Sequence, residues 1–144
     1  MKKYLKILSI VLLIGLLVGC GCQKKDKENT TETKRDYEKE TKEVEALFNT
    51  DDTKLVYNSN NLFNIVFYYK GNSITGLEHY YKYSSGEEAD KKADELKKQF
   101  ENNTSFKVSS KGIYVIYTYD ESEYNGKTVQ EIKEDYSFLI PIYK

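Results

Sequence analysis

The residue whose type and position most clearly indicate a chemical reaction is Cys20, which directly follows Leu17, Val18 and Gly19. A cysteine sulfur is a strong nucleophile once it is deprotonated, and it can take up an acyl or alkyl group. Gly19, a small residue directly before it, allows an extended backbone to enter the cleft of a protease. These residue types are compatible with two reactions here, attachment of a group to the sulfur and cleavage of the preceding peptide bond.

The residues before Cys20 have the pattern of a targeting signal. Three lysines occur among the first six residues, and an apolar run of about a dozen residues follows at 7–18. A helix needs roughly 20 apolar residues to cross the hydrocarbon core of a bilayer, so this shorter run is typical of a secretory signal. We expect residues 1–19 to be a signal peptide that is removed on export.

Leu17-Val18-Gly19-Cys20 resembles the lipobox of bacterial lipoproteins. In that family the cysteine receives a diacylglyceryl group and the signal is cut off directly before it. The resemblance implies that Cys20 begins the mature protein and anchors it in membrane lipid, on the extracytoplasmic face of the cell membrane. Two acyl chains hold a protein stably, at about 0.8 kcal/mol per buried methylene. Cys22 lacks the preceding apolar residue and is the poorer candidate.

Composition argues against several classes of function. Removing residues 1–19 takes away three of the 22 basic residues and none of the 23 acidic ones, which leaves a formal net charge of about −4. A nucleic-acid partner would need a basic face, so we expect none. Two neighbouring cysteines and one histidine, His79, do not suffice for a disulfide framework or a zinc motif. We expect no cofactor and no metal.

Residues 20–50 are predicted to be the lipidated cysteine and a flexible charged tether, because 23–43 are dense in Lys, Glu and Thr and almost free of core-forming side chains. Val44, Leu47 and Phe48 have helical spacing, which is compatible with a short helix docked on the domain at the end of the tether. Residues 51–144 are predicted to form one domain.

The pattern within 51–144 predicts more strands than helices. Alternation of apolar and polar residues indicates strands at 54–58, 62–70, 74–83, 105–109 and 113–119, and capping-box patterns open helices near Ser85 and Thr128. We expect an α+β domain with a mostly antiparallel sheet of about five strands and one or two helices packed on one face.

Four segments also carry a family resemblance. They are Tyr69-Lys70-Gly71-Asn72, Ser85-Gly86-Glu87-Glu88-Ala89, the strand at 113–119, and Lys127-Thr128-Val129 before a short helix. Together they resemble the YehR-like small lipoproteins over about residues 54–140. That family shares a domain of unknown function, so the resemblance implies fold class and location and assigns no functional residues.

Tyrosines are the best candidates for a binding surface. Tyr68, Tyr80, Tyr114 and Tyr124 fall opposite the predicted core, where a ring with a hydroxyl could stack on a sugar or anchor a peptide. Tyrosine also has a high β-propensity, so ordinary sheet residues are the competing interpretation.

Two other features are interpreted as structural. His79 alternates with apolar strand residues, which indicates an imidazole partly buried at the sheet and hydrogen-bonded to a neighbour. The oxygen-rich loop Asp120 to Gly126 could hold calcium, but it lacks the ligand spacing of an EF-hand, and a solvated loop is the alternative.

These patterns favour a non-catalytic binding or accessory module of the cell envelope, with an unknown envelope protein or glycan as its partner. The alternative is a small hydrolase that acts on envelope polymers through carboxylates such as Glu78 or Glu123. A third interpretation is an immunity-like protein that blocks another protein by occupying its site.

Overall fold

The computed structural model describes residues 35–59 and 62–142. The predicted signal peptide, the lipobox residues and the first part of the predicted tether lie outside the described residues. Along the chain the elements are α1 (Tyr37–Glu45), β1 (Lys54–Ser59), β2 (Phe63–Lys70), β3 (Ser73–Lys82), α2 (Gly86–Gln99), β4 (Phe106–Lys111), β5 (Tyr114–Tyr119), a 3₁₀ turn (Glu121–Glu123), α3 (Val129–Asp135) and β6 (Ile140–Pro141).

The strands form one antiparallel sheet in the order β4-β5-β3-β2-β1-β6. The predicted α+β class with a mostly antiparallel sheet is confirmed. A sixth strand, β6, adds two residues to the edge at β1. The β1–β2 and β4–β5 turns lie at the same end of the sheet, which we call the Gly112 end. The β2–β3 turn lies at the other end, which we call the Gly71 end.

Helices α2 and α3 cover the first face of the sheet. This face carries Phe67, His79 and Tyr117, all buried, which share one side because side chains alternate along a strand. Phe100 at the end of α2 packs edge-on against Phe106, and Tyr136 after α3 packs against Phe67 with ring centroids 4.9 Å apart. The main core of the domain lies between this face and the two helices.

Helix α1 covers the Gly112 end of the second face. Val44 is only 1% exposed and belongs to a second core with Val56, Val66 and Ile116. The expectation that helices pack on one face only is therefore wrong. Its physical reason is that part of the second face is apolar as well, so both faces need a cover; the apolar residues are Val56, Val66, Tyr80, Tyr114 and Ile116.

Polar contacts fasten α1 to the β4–β5 turn. The Gly112 amide donates to the Glu40 carboxylate at 2.9 Å, and the Ile113 amide donates to Thr41 Oγ1 at 3.1 Å. Both amides lie in the turn, outside the regular pairing of β4 and β5. The bonds to α1 therefore satisfy backbone N–H groups that have no partner in the sheet. The packed part of the chain thus begins at about Arg35, upstream of the predicted boundary at Asp51.

Replacing Gly112 by Ala should destabilise the domain more than replacing Gly71 by Ala. Both glycines have a left-handed φ, +58° and +62°, which costs an L-residue roughly 1–2 kcal/mol. Only at Gly112 would the added Cβ meet α1, 2.7 Å from the Cα of Thr41, which adds roughly 1–3 kcal/mol. Urea unfolding of both variants gives the comparison. If both variants lose the same free energy of unfolding, α1 does not pack closely against Gly112.

Candidate functional site

Three of the four predicted tyrosines, Tyr68, Tyr80 and Tyr114, lie on the second face of the sheet. Of these, only Tyr68 is partly exposed. Tyr80 and Tyr114 are each 2% exposed, and Phe48 at the end of α1 packs edge-on against both rings at 5.2 and 5.4 Å. The prediction that Tyr80 and Tyr114 belong to an exposed surface is wrong, because Phe48, three residues after α1, packs over both rings. Tyr124 lies apart, in the loop after the 3₁₀ turn.

A carboxylate organises the part of this face that α1 leaves open. Glu78 Oε2 accepts hydrogen bonds from the hydroxyls of Tyr68 at 3.0 Å and Tyr80 at 2.5 Å, and Glu78 Oε1 accepts one from Thr118 at 3.2 Å. Thr118 is exposed, and Tyr68 and Glu78 are half-buried. We call Tyr68, Glu78, Tyr80 and Thr118 the Glu78 cluster. All of its donors to Glu78 are hydroxyl groups.

Register and one glycine position the cluster. Glu78 pairs with Thr118 across β3 and β5, and Tyr68 pairs with Gly76 across β2 and β3. A Cβ on Gly76 would lie 3.1 Å from Cδ2 of Tyr68, so the ring lies against the glycine backbone. An aromatic ring that fills the space over a strand glycine stabilises the sheet and is itself held in place.

The protonation states make Tyr68 and Tyr80 donors. Burial raises the pKa of Tyr68 to about 12. Burial and the hydrogen bond to Glu78 raise the pKa of Tyr80 still further above its ordinary value. Both phenols therefore stay protonated at neutral pH and donate their hydrogen bonds to Glu78.

The geometry does not favour the carboxylates of the hydrolase alternative. Both oxygens of Glu78 already accept hydrogen bonds, and Glu123 lies in the 3₁₀ turn and takes no part in the Glu78 cluster. An open groove does run along α1, but neither of these glutamates lines it. Its lining residues are Asp36, Glu38, Lys39, Lys42, Glu43 and Ala46.

His79 lies in the main core. The residue is 1% exposed, its Nδ1 is 3.1 Å from the hydroxyl of Tyr119, and its ring packs against the rings of Phe63 and Tyr119. Burial lowers the pKa of His79 to about 3, so the imidazole is neutral at physiological pH. The interpretation of His79 as a hydrogen-bonded structural histidine agrees with this geometry.

The loop proposed for calcium uses its first carboxylate locally. Asp120 accepts a hydrogen bond from the Ser122 amide at 3.1 Å and so caps the 3₁₀ turn. Among residues 35–59 and 62–142, no three His, Cys, Asp or Glu side chains converge as a metal site. Within the same ranges no helix combines the length and apolar character that crossing a bilayer requires.

Sequence reasoning missed a polar cluster around Arg35, the only arginine of the chain. Its guanidinium bonds to Glu40 and Asp90, and Asp90 also accepts from Tyr37 at 2.8 Å and from Ser110 Oγ at 2.6 Å. Burial alone would raise the pKa of Asp90, but these hydrogen bonds outweigh it and the pKa is lowered. The cluster joins α1 to α2 and β4. An arginine just before the Asp36 cap was its one visible signal.

Comparisons with protein-family models, with curated proteins and with solved structures found no match to this chain. The resemblance to the YehR-like lipoproteins stays a prediction.

We expect the free energy of unfolding to rise with pH below about pH 6.5. The unfolded chain binds a proton on His79 near its ordinary pKa, whereas the folded chain does so only near 3, so stability falls as the pH drops through this window. The slope near pH 6 should be about 1 kcal/mol per pH unit. Because the chain has one histidine, His79→Phe should flatten the slope. Identical slopes in urea titrations of the two proteins would contradict the assignment.

Proposed function

We propose that this protein is a lipoprotein held on the extracytoplasmic face of the cell membrane by acylated Cys20. We propose further that its folded domain is a non-catalytic module that binds a glycan of the cell envelope. The location is supported by the lipobox-like residues Leu17-Val18-Gly19-Cys20 at the end of a signal-like apolar run. The binding role is supported by the open part of the second face.

The observation that carries the binding role is the Glu78 carboxylate, all of whose hydrogen-bond donors are hydroxyls, beside the fixed ring of Tyr68. A sugar presents the same hydroxyl groups, and its apolar ring face can lie on an aromatic ring. The Thr118 hydroxyl is exposed, so a ligand hydroxyl could take its place on Glu78 Oε1. Exchange of one hydroxyl donor for another leaves no unsatisfied acceptor on Glu78, so the exchange itself costs little, and contact of the sugar ring with Tyr68 would supply the favourable free energy.

Replacing Cys20 by Ala should abolish membrane anchoring through lipid. The wild-type protein should stay with the membrane fraction after a high-salt wash, and its N-terminal peptide should carry the diacylglyceryl mass on Cys20. Cys22→Ala is the matched control and should keep both properties, since Cys22 lacks the lipobox pattern. Recovery of unacylated wild-type protein from the soluble fraction would contradict the proposed anchoring.

Replacing Tyr68 by Ala, or Glu78 by Gln, should weaken binding to purified insoluble wall glycan by about tenfold, because each removes a contact worth roughly 1.5 kcal/mol. Tyr83→Ala is the matched control, since Tyr83 is also a half-buried tyrosine but lies at the Gly112 end. Sedimentation with increasing amounts of glycan measures the affinities. Equal affinities of the Tyr68 and Tyr83 variants, or no saturable binding of the wild type, would contradict the proposed ligand.

A further inference from the structure

The large apolar side chains that are most exposed lie at one corner of the sheet. Leu62, Phe138 and Ile140 are 69%, 68% and 69% exposed, while the other large apolar side chains of the described residues are at least partly buried. Ile140 pairs with Asn58 near the end of β1, and the Leu62 amide donates to Ser59 O at 2.8 Å. The β1–β2 turn and the start of β6 therefore meet at the Gly112 end.

This corner is also uncharged. The segments 58–64 and 136–142 contain no Asp, Glu, Lys or Arg, in a chain in which these residues make up 31%. Transfer of a charged side chain out of water is costly, whereas apolar side chains gain about 25 cal/mol for each Å² that leaves water. The corner can therefore enter an apolar environment without dehydrating a charge of its own.

The three side chains project separately. Leu62 lies in a turn, Phe138 stacks on Tyr136 with ring centroids 6.1 Å apart, and Ile140 lies on the two-residue edge strand. A fluid lipid interface adapts to side chains that project from separate segments, so lipid can receive all three.

The place where the chain enters the domain favours the same occupant. Arg35 contacts the Ser110 carbonyl oxygen beside the β4–β5 turn, so the segment from Cys20 arrives at the Gly112 end, the end that also bears the uncharged corner. Strand β4 and strand β6 are five strand spacings apart, or about 24 Å. The fifteen residues from Cys20 to Arg35 can span up to about 50 Å. An anchor at Cys20 and the corner can therefore reach one membrane surface together.

We propose that the corner formed by Leu62, Phe138 and Ile140 inserts into the interface of the bilayer that holds the lipid anchor. This inference rests on the proposed acylation of Cys20. The anchor supplies most of the membrane affinity, and the corner orients the domain. The Gly112 end then faces the bilayer, and the Gly71 end points away from it.

The absence of tryptophan from the chain permits a direct test. Leu62→Trp and Phe138→Trp place a single reporter at the corner, and Tyr124→Trp places one beyond β5, toward the Gly71 end. Each lipidated mature protein is reconstituted into phosphatidylcholine vesicles with and without bromine on the acyl chains. We expect brominated lipid to quench the two corner reporters, whose emission shifts to shorter wavelength, and to leave the Tyr124→Trp emission unchanged. Far-ultraviolet circular dichroism checks that each variant is folded.

The outcomes separate this inference from the proposed function. Unquenched corner reporters in protein whose Cys20 carries the diacylglyceryl mass would overturn the insertion and leave the anchoring intact. Corner reporters that respond only after membrane proteins are added would also overturn it, in favour of a protein partner. Absence of the acyl mass from Cys20 would overturn the anchoring and this inference with it. Equal quenching of all three reporters would show contact without the proposed orientation and would likewise overturn it.

Discussion

The docking of α1 on the second face of the sheet is the constraint on which the rest of the structure depends. Val44 and Phe48 seal a second core that includes Tyr80 and Tyr114, and without them an extended apolar surface would face water. The helix itself is short and mostly polar, so its apolar contacts act together with the bonds of Arg35, Glu40 and Thr41. Because α1 and the residues after it cover only part of this face, they also determine which part stays open.

Much of the sheet could be predicted because its signal is local. The period-two alternation in 62–70, 74–83 and 113–119 places β2, β3 and β5, and Ser85 marks the start of α2 through its hydrogen bond with the Glu88 amide. Helix α1 gives a weaker signal, since Val44 is its only buried residue. Its decisive contacts join residues about 72 positions apart, and such polar contacts have no periodic signature.

In the candidate site, too, local features could be predicted from the sequence and long-range contacts could not. The alternation of residues in β3 predicts that Glu78 and Tyr80 share a face. The exposure of each side chain depends on where α1 packs, and the alternation carries no information about that position. Thr118 joins Glu78 only because β5 pairs with β3, although α2 and β4 lie between them in sequence. A non-consecutive pairing of this kind requires the sheet order. Single residues could therefore be named from the sequence, whereas the Glu78 cluster could not.

The two ends of the sheet differ in what they present, and this difference bears on how an anchored domain would work. The Gly112 end receives the chain at Arg35 and carries the uncharged corner, while Glu78 lies near the middle of β3, between Ser73 and Lys82. Glu78 lies four residues before Lys82, the last residue of β3, or roughly 13 Å along the strand, so the sheet separates a membrane contact at the Gly112 end from a ligand contact at Glu78. A rigid sheet would keep that separation fixed. On the proposed anchoring, its length would set how far from the bilayer the ligand is held.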